Sequence, residues 1–263
     1  MLWTSLTLVF VVTAGIVAAI FARPVLAARR RRRAALSPDQ ARRLADAVPL
    51  YPRLPTAARE RLARRTAAFL SHIRFVGCDG IEIDETMRLA VAGQACLLCL
   101  RDGADVFPWV REILIYPDAF WVHHEAPDEL GLVDDEPRLL AGEAWDEGRV
   151  ILSWSDISEA LAGADHNVVV HEFAHQLDFD APGTVGAPAL ADYGDWAAAF
   201  GEAYEQLRRE GSPVIDPYGA ENPAEFFAVA AEAFVQRPDE LAAAHPRLYR
   251  VLADYLTIDP ARR

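Results

Sequence analysis

The sequence lacks lysine altogether and contains few cysteines. All of its basic residues are arginine, and its cysteines are Cys78, Cys96 and Cys99. An odd and small number of cysteines argues against a disulfide framework and is typical of a reducing compartment. Cys96 and Cys99 form a CxxC inside an apolar run, and the chain has no second CxxC that would complete a zinc site. The pattern therefore predicts buried core thiols.

Acidic residues are missing from the start of the chain, where none occurs before Asp39. Residues 2–22 carry no charge at all, and arginines follow at position 23 and positions 29–33. About 20 apolar residues cross a bilayer as a helix, so this run predicts a transmembrane segment. The basic cluster on its C-terminal side predicts that the body of the protein lies in the cytoplasm. We expect an anchor with a basic run, residues 1–33, and one domain at the cytoplasmic membrane, residues 34–263.

A cleaved signal peptide is the alternative interpretation of this start. Signal peptides begin with positive charge and have a shorter apolar core, and this segment has neither feature. Five consecutive arginines directly after residues 25–28, where cleavage would occur, also disfavour export.

The rest of the chain is acidic. Once the six arginines of the first 33 residues are set aside, 20 basic residues face 39 acidic ones, a net charge of −19. A body of this sign is not that of a nucleic-acid-binding protein. The hydrophobic content of 52% is enough for a sizeable core, and 263 residues suffice for one large domain.

Hydrophobic periodicity predicts an α+β fold that is mostly helical, with a small sheet. Ser37 and Pro38 mark a helix start, and Pro52 and Pro55 interrupt the helix that follows. Pro117 interrupts an extended segment at residues 113–122, which predicts an edge strand that could pair with a peptide substrate. The expected helices are residues 37–71 with that interruption, 84–100, the segment around 168–178, 195–210, 224–236 and 245–256; a second strand is expected at 150–154, and an acidic loop at 125–147.

The segment VVVHEFAHQLD contains an HExxH pattern, formed by His171, Glu172 and His175. Histidines four residues apart lie on one face of a helix, so both imidazoles can reach one metal ion. Glu172 is then placed to act as general base on a metal-bound water. Asp165 and Asn167 are both candidates for the cap of this helix.

A catalytic zinc site usually has three protein ligands, so the pattern needs a third. The candidates are Asp178, Glu225, Glu232 and His166. Asp178 lies one turn after His175, whereas the two glutamates lie on a separate predicted helix. A carboxylate from a second helix can approach the metal from a new direction, and Glu232 is also placed to support a ligand from behind. Spacing alone leaves the choice open.

Several segments together resemble the Mlc titration factor A family, zinc metallopeptidases of the gluzincin type with a zincin-like fold. They include EILIYPDAFWV, AGEAWDEGRVILSWSDI, HEFAHQLD and the long segment that begins NPAEFFAVAAEAF, and the resemblance covers most of residues 100–263. The HEFAHQLD and PAEFFA segments are also similar to the catalytic region of anthrax lethal factor. The resemblance implies that Glu225 is the third zinc ligand and that Tyr218, seven residues before it, assists catalysis.

The resemblance also implies a function. The expected activity is a zinc-dependent, aminopeptidase-like hydrolysis of peptides through a zinc-activated water, with Glu172 as general base. The family's namesake role is capture of a transcriptional repressor of glucose-uptake genes. The alternative function is therefore a regulatory binding protein that sequesters such a repressor, with a structural or vestigial metal site. An intact Glu172 favours the enzyme, because a purely structural site needs no general base.

Overall fold

A computed structural model describes residues 34–101, 106–122, 138–140, 142–145, 148–179 and 185–262. These residues form nine α-helices, which are α1 (Pro38–Ala47), α2 (Thr56–Leu70), α3 (Glu85–Leu97), α4 (Trp154–Leu161), α5 (Val168–Phe179), α6 (Gly194–Glu210), α7 (Pro223–Gln236), α8 (Pro238–Ala244) and α9 (Pro246–Leu256). Short 3₁₀ turns span Tyr51–Arg53 and Pro217–Ala220. The prediction of a mostly helical fold is confirmed.

The predicted transmembrane segment, residues 2–22, and the basic run after it lie outside the described residues. Within the part of the chain that is described, no helix combines the length and the apolar run needed to cross a membrane. The boundary between an anchor and a domain at residue 33 stays a prediction.

Six short strands accompany the helices: β1 (Arg74–Gly77), β2 (Glu112–Tyr116), β3 (Phe120–Val122), β4 (Arg138–Leu140), β5 (Gly142–Trp145) and β6 (Arg149–Ser153). Four of them form a sheet in the order β1-β2-β6-β5, and β3 pairs with β4 separately. β1, β2 and β6 run parallel, with Ile113 opposite Val150 in the register of β2 and β6, whereas β5 runs antiparallel to β6. The expected small sheet is therefore present, and most of its strands are parallel.

The prediction of an edge strand at residues 113–122 is wrong for residues 113–116, which form the central strand β2, whereas residues 120–122 form β3, whose described partner is β4 alone. β2 lies between β1 and β6 and is hydrogen-bonded on both sides, so it has no free edge for a substrate. Pro117 follows the last residue of β2, where its missing N–H costs no ladder hydrogen bond. Its carbonyl accepts a hydrogen bond from the N–H of Ser155 at 3.0 Å. Part of the expected acidic loop is also strand, because β4 and β5 fall inside it.

Helix α5, which carries the HExxH pattern, lies at the centre of the core. It packs against α7, α3 and α4 and against the sheet strands β5 and β6. Val169, Val170 and Phe173 are fully buried. The ring of Phe173 meets Phe107 edge-on at 4.7 Å between centroids, and Phe69 at 5.6 Å. Burial of apolar side chains on one side of the helix fixes its rotation, and so fixes which side its histidines face.

The sequence cues for helix starts explain how the neighbouring elements are placed. Ser37 and Gln40 form a reciprocal capping box at the start of α1. The Asp84 side chain accepts a hydrogen bond from the N–H of Met87 at the start of α3. Cys96 and Cys99 are buried and form no disulfide, as the apolar run around them predicts, and burial raises the pKa of the Cys96 thiol.

Candidate metal centre

The start of α5 is fixed by Asn167. Its side-chain oxygen accepts a hydrogen bond from the N–H of Val170 at 3.1 Å, and its carbonyl accepts one from the N–H of His171 at 2.9 Å. Of the two cap candidates, Asn167 is thus the cap. Asp165 lies outside the helix and pairs with Arg237 at 3.3 Å. The cap fixes the start of the helix, and with it the positions of His171 and Glu172 in the first two turns.

Glu225 is brought to the same place by the first turn of α7. Asn222 caps that helix by accepting hydrogen bonds from the N–H groups of Ala224 and Glu225, at 2.9 and 3.0 Å. The carboxylate oxygen Oε2 of Glu225 lies 3.1 Å from Nε2 of His171 and 3.4 Å from Nε2 of His175. The structure therefore brings together the two histidines and the glutamate that the family resemblance implied.

These three atoms form a nearly equilateral triangle, since the Nε2 atoms of His171 and His175 are 3.2 Å apart. Ligands at tetrahedral zinc distances of about 2.0–2.1 Å would be roughly 3.3–3.4 Å from one another. The triangle therefore has the size of one face of such a tetrahedron. Two imidazole nitrogens and one carboxylate oxygen are also a donor set that zinc binds. The residues present fit a zinc ion.

The charges around the triangle favour a cation. Burial by itself would lower the pKa of His171, but hydrogen bonds to Glu225 and Glu232, together with the charges of Glu232 and Glu172, raise it to about 10. Burial would raise the pKa of Glu225, but hydrogen bonds from His171 and His175 and their charges lower it to about 2. Three carboxylates thus surround two imidazoles, so positive charge is stabilised here, whether a proton or a metal ion carries it.

The triangle is partly exposed to solvent. The side chains of His171, His175 and Glu225 are 16%, 23% and 16% exposed. A structural zinc site is closed by a fourth protein ligand, whereas a catalytic site leaves a position for water. Glu172 follows His171 in the first turns of α5 and is only 5% exposed. Within the described part of the chain, the arrangement is that of a three-ligand site with a carboxylate beside it.

Tyr218 lies at the rim of this centre. Its ring centroid is 6.1 Å from that of His171, and the residue is 46% exposed. The 3₁₀ turn that carries it is capped by Asp216, which accepts the N–H of Tyr218 at 2.8 Å. The next residue, Gly219, packs so closely on α7 that an added Cβ would lie 2.5 Å from Val229. Close packing of this turn on α7 holds the tyrosine beside the histidine.

The other candidates for the third ligand are used differently. Asp178 accepts a hydrogen bond from the N–H of Ala187 at 3.0 Å and so ties the following loop to α5. Glu232 accepts from Nδ1 of His171 at 2.7 Å, on the side of the ring away from the triangle. His166 belongs to a separate, more exposed group with Asp156 and Glu159, from which its Nε2 is 3.9 and 3.7 Å.

Gln94, which no sequence motif marks, is fully buried in the apolar helix α3 and accepts a hydrogen bond from the side chain of Asn167. The available signal was its position, because an uncharged polar residue inside a wholly apolar helical run needs a buried partner.

Comparisons with known proteins agree with this geometry. A family model described as glucose-regulated metallo-peptidase M90 matches residues 25–256. An uncharacterized protein of Synechocystis is 39% identical over 227 residues, which are 82% of each chain. Mlc titration factor A of Cronobacter sakazakii and that of Salmonella arizonae are each 32% identical over 226 residues, 82% of this chain and 85% and 90% of theirs. The chain thus belongs to the M90 family of metallopeptidases.

Proposed function

We propose that this protein is a zinc-dependent peptidase with aminopeptidase-like activity, in which His171, His175 and Glu225 hold the metal. The observation that carries the proposal is the partly exposed triangle of three ligand atoms, 3.1–3.4 Å apart, next to a buried carboxylate. Membership of a metallopeptidase family supports it. A zinc ion in this position supplies a water of lowered pKa and polarises the substrate carbonyl.

The protein's own residues would do the remaining chemistry. Glu172 takes a proton from the attacking water and passes it to the leaving amine. Tyr218 donates a hydrogen bond from its hydroxyl to the carbonyl oxygen as negative charge develops there. Glu232 accepts the proton of His171 Nδ1, which leaves the Nε2 lone pair directed into the triangle.

A peptide substrate would lie along β5 and not along β2. Like β1 at the other end of the order β1-β2-β6-β5, β5 has a described neighbour on one side only. It also packs against α5, the helix that carries both histidines. Backbone hydrogen bonds to such an edge would hold an extended peptide beside the centre.

Peptide hydrolysis with and without a chelator tests the proposal. The purified full-length chain, loaded with zinc, should cleave members of a mixed peptide library, lose that activity with a chelator and regain it when zinc is restored. Glu172→Gln is the control. It should keep its zinc but lose about 100- to 10,000-fold in turnover, because an amide cannot take the proton. A fully zinc-loaded chain that cleaves no peptide would contradict the proposal.

A second candidate function is suggested by the names of the relatives. The proteins of Cronobacter and Salmonella are called Mlc titration factor A. On this alternative the protein sequesters a transcriptional repressor, and its metal site is structural or vestigial. The Glu172→Gln variant separates the two functions, since sequestration would survive a change that removes only the proton acceptor.

We also propose that the protein is held at the cytoplasmic membrane by residues 2–22, with its acidic domain facing the cytoplasm. The support comes from the uncharged run and the arginines on its C-terminal side.

A further inference from the structure

Glu232 is held through both of its carboxylate oxygens. Oε1 accepts from Nδ1 of His171 at 2.7 Å, and Oε2 accepts a short hydrogen bond from the backbone N–H of Asn167. A carboxylate that is bonded at one oxygen can still rotate, whereas two partners on separate atoms fix its plane. The orientation of the His171 ring therefore depends on where the backbone of Asn167 lies.

Asn167 is fully buried, and each of its polar groups has a hydrogen-bond partner. Its side-chain oxygen caps α5 by accepting from Val170, as described above. Its side-chain nitrogen donates to Oε1 of Gln94 at 2.5 Å and to Oε1 of Gln236 at 3.3 Å. Gln236 in turn donates to the carbonyl of Ala160 in α4 and to that of Ala164 just after this helix, at 3.1 and 2.7 Å. One buried asparagine thus connects α5, α3 and α7 directly, and α4 through Gln236, behind the metal centre.

The polar side chain of Gln94 is not explained by core packing alone. It is the one polar residue among the buried residues of α3, and its exposure is zero. A buried amide without partners is costly, and an apolar residue of similar volume would pack there without that cost. Its nitrogen donates to the carbonyl of Ala90 in its own helix at 3.2 Å, so its oxygen is left to accept from Asn167.

We propose that Gln94 and Asn167 are positioning residues of the metal centre. Gln94 fixes the side chain of Asn167, the backbone N–H of Asn167 fixes Glu232, and Glu232 holds the His171 ring with Nε2 directed at His175 and Glu225. When this relay is broken, the ring is free to turn about its Cβ–Cγ bond, and the three ligand atoms no longer keep the spacing of one tetrahedral face. The inference rests on the proposed function in that it takes His171 as a ligand.

Two variants of the full-length chain test the relay. Gln94→Met keeps the volume but removes the acceptor for Asn167. Asn167→Ser keeps an oxygen that can cap α5, because serine is a good N-cap, but removes both amide donors. We expect the dissociation constant for zinc, measured by competition with a chromophoric chelator, to rise about 10- to 100-fold in each. The visible absorption of the cobalt-substituted protein should change as well, because it reports ligand geometry.

Tyr249→Phe is the matched control. It removes a hydroxyl that donates a hydrogen bond to Asp259 at 2.6 Å and accepts one from the N–H of Ala261 at 2.9 Å, and neither partner belongs to the relay. It should lower the melting temperature but leave the zinc dissociation constant within about twofold, because sites without shared partners act independently. A purely structural role for Gln94 and Asn167 would give them this same pattern.

The relay is overturned if Gln94→Met and Asn167→Ser bind zinc as tightly as the wild type with an unchanged cobalt spectrum. If Gln94→Met does not fold, Asn167→Ser alone decides. Peptide hydrolysis by the same samples separates this inference from the function. A wild type that binds zinc tightly but cleaves nothing contradicts the peptidase and leaves the relay standing. A wild type that binds no zinc overturns both.

Discussion

At the scale of single residues, two acids near the histidines have different tasks. Glu225 contributes an oxygen to the ligand triangle, whereas Asp178 accepts a backbone hydrogen bond from Ala187. We therefore expect Glu225→Ala to lose most of the zinc and Asp178→Ala to keep much of it, from a wild-type content of about one zinc per chain. Elemental analysis of the purified proteins measures this. Full zinc content in Glu225→Ala would overturn its assignment as a ligand.

Tyr218 is exposed and only borders the triangle, so its contribution should appear in turnover and not in metal content. We expect Tyr218→Phe to retain zinc and to lose about 100-fold in kcat, less than the largest loss expected for Glu172→Gln, because one hydrogen bond to the developing charge is removed. Steady-state kinetics on a cleaved peptide checks this. Equal kcat in Tyr218→Phe and wild type would remove the tyrosine from the mechanism.

At the scale of elements, the centre depends on the distance between α5 and α7. Gly186 sets part of that distance, since it has φ = +75° and an added Cβ would lie 2.3 Å from the carbonyl oxygen of Pro223, two residues before Glu225. Asp178 ties the adjacent Ala187 to α5. This loop therefore spaces the two helices that carry the ligands.

We expect Gly186→Ala to weaken zinc binding and to destabilise the fold by about 1–3 kcal/mol, through backbone strain and displacement of α7. Gly80→Ala is the control, because Gly80 also has positive φ, +82°, but has nothing within 4 Å of an added Cβ. Gly80→Ala should be destabilised by backbone strain but should bind zinc as tightly as the wild type. Thermal unfolding and chelator competition measure the two effects. Identical zinc affinity and thermal stability in both variants would show that the contact with Pro223 does not affect the metal centre.

Much of this architecture is predictable from local sequence. The helix start at Asn222 and Pro223, and the apolar flanks of His171 and His175, are cues that act over a few residues, and the elements begin within a residue or two of where those cues place them. Elements that depend on long-range packing are harder to predict from the sequence. β1 has only four residues, and its pairing with β2 leaves no periodic pattern in the sequence.

The candidate site is likewise only partly predictable from the sequence. Its HExxH half is visible in the sequence, because spacing on one helix fixes the geometry of two ligands. The third ligand is not fixed by spacing, since Glu225 and Glu232 lie on one helix and only its packing on α5 decides which meets Nε2 and which meets Nδ1 of His171. The bond between Gln94 and Asn167 joins residues 73 positions apart and has no local signature.

At the scale of the whole molecule, charge is segregated along the chain. Six arginines lie within the first 33 residues, and the rest carries a net charge of −19. Arginines next to a bilayer favour an anionic cytoplasmic leaflet, whereas an acidic body is repelled by it. The basic run would therefore both anchor the chain and space the domain away from the surface.

This segregation predicts the topology. The uncharged run at residues 2–22 should span the membrane uncleaved, with the C-terminal body in the cytoplasm, because the arginines follow the run. A fluorescent reporter fused after Arg263 should fluoresce in the cytoplasm. Replacing the arginines at 29–33 with serine should reduce the fraction of chains whose C-terminal body lies in the cytoplasm. An active export-dependent phosphatase fused at the same site would contradict the prediction. Removal of residues 1–33 should leave a soluble protein that still binds zinc, since the ligand triangle is built entirely from α5 and α7.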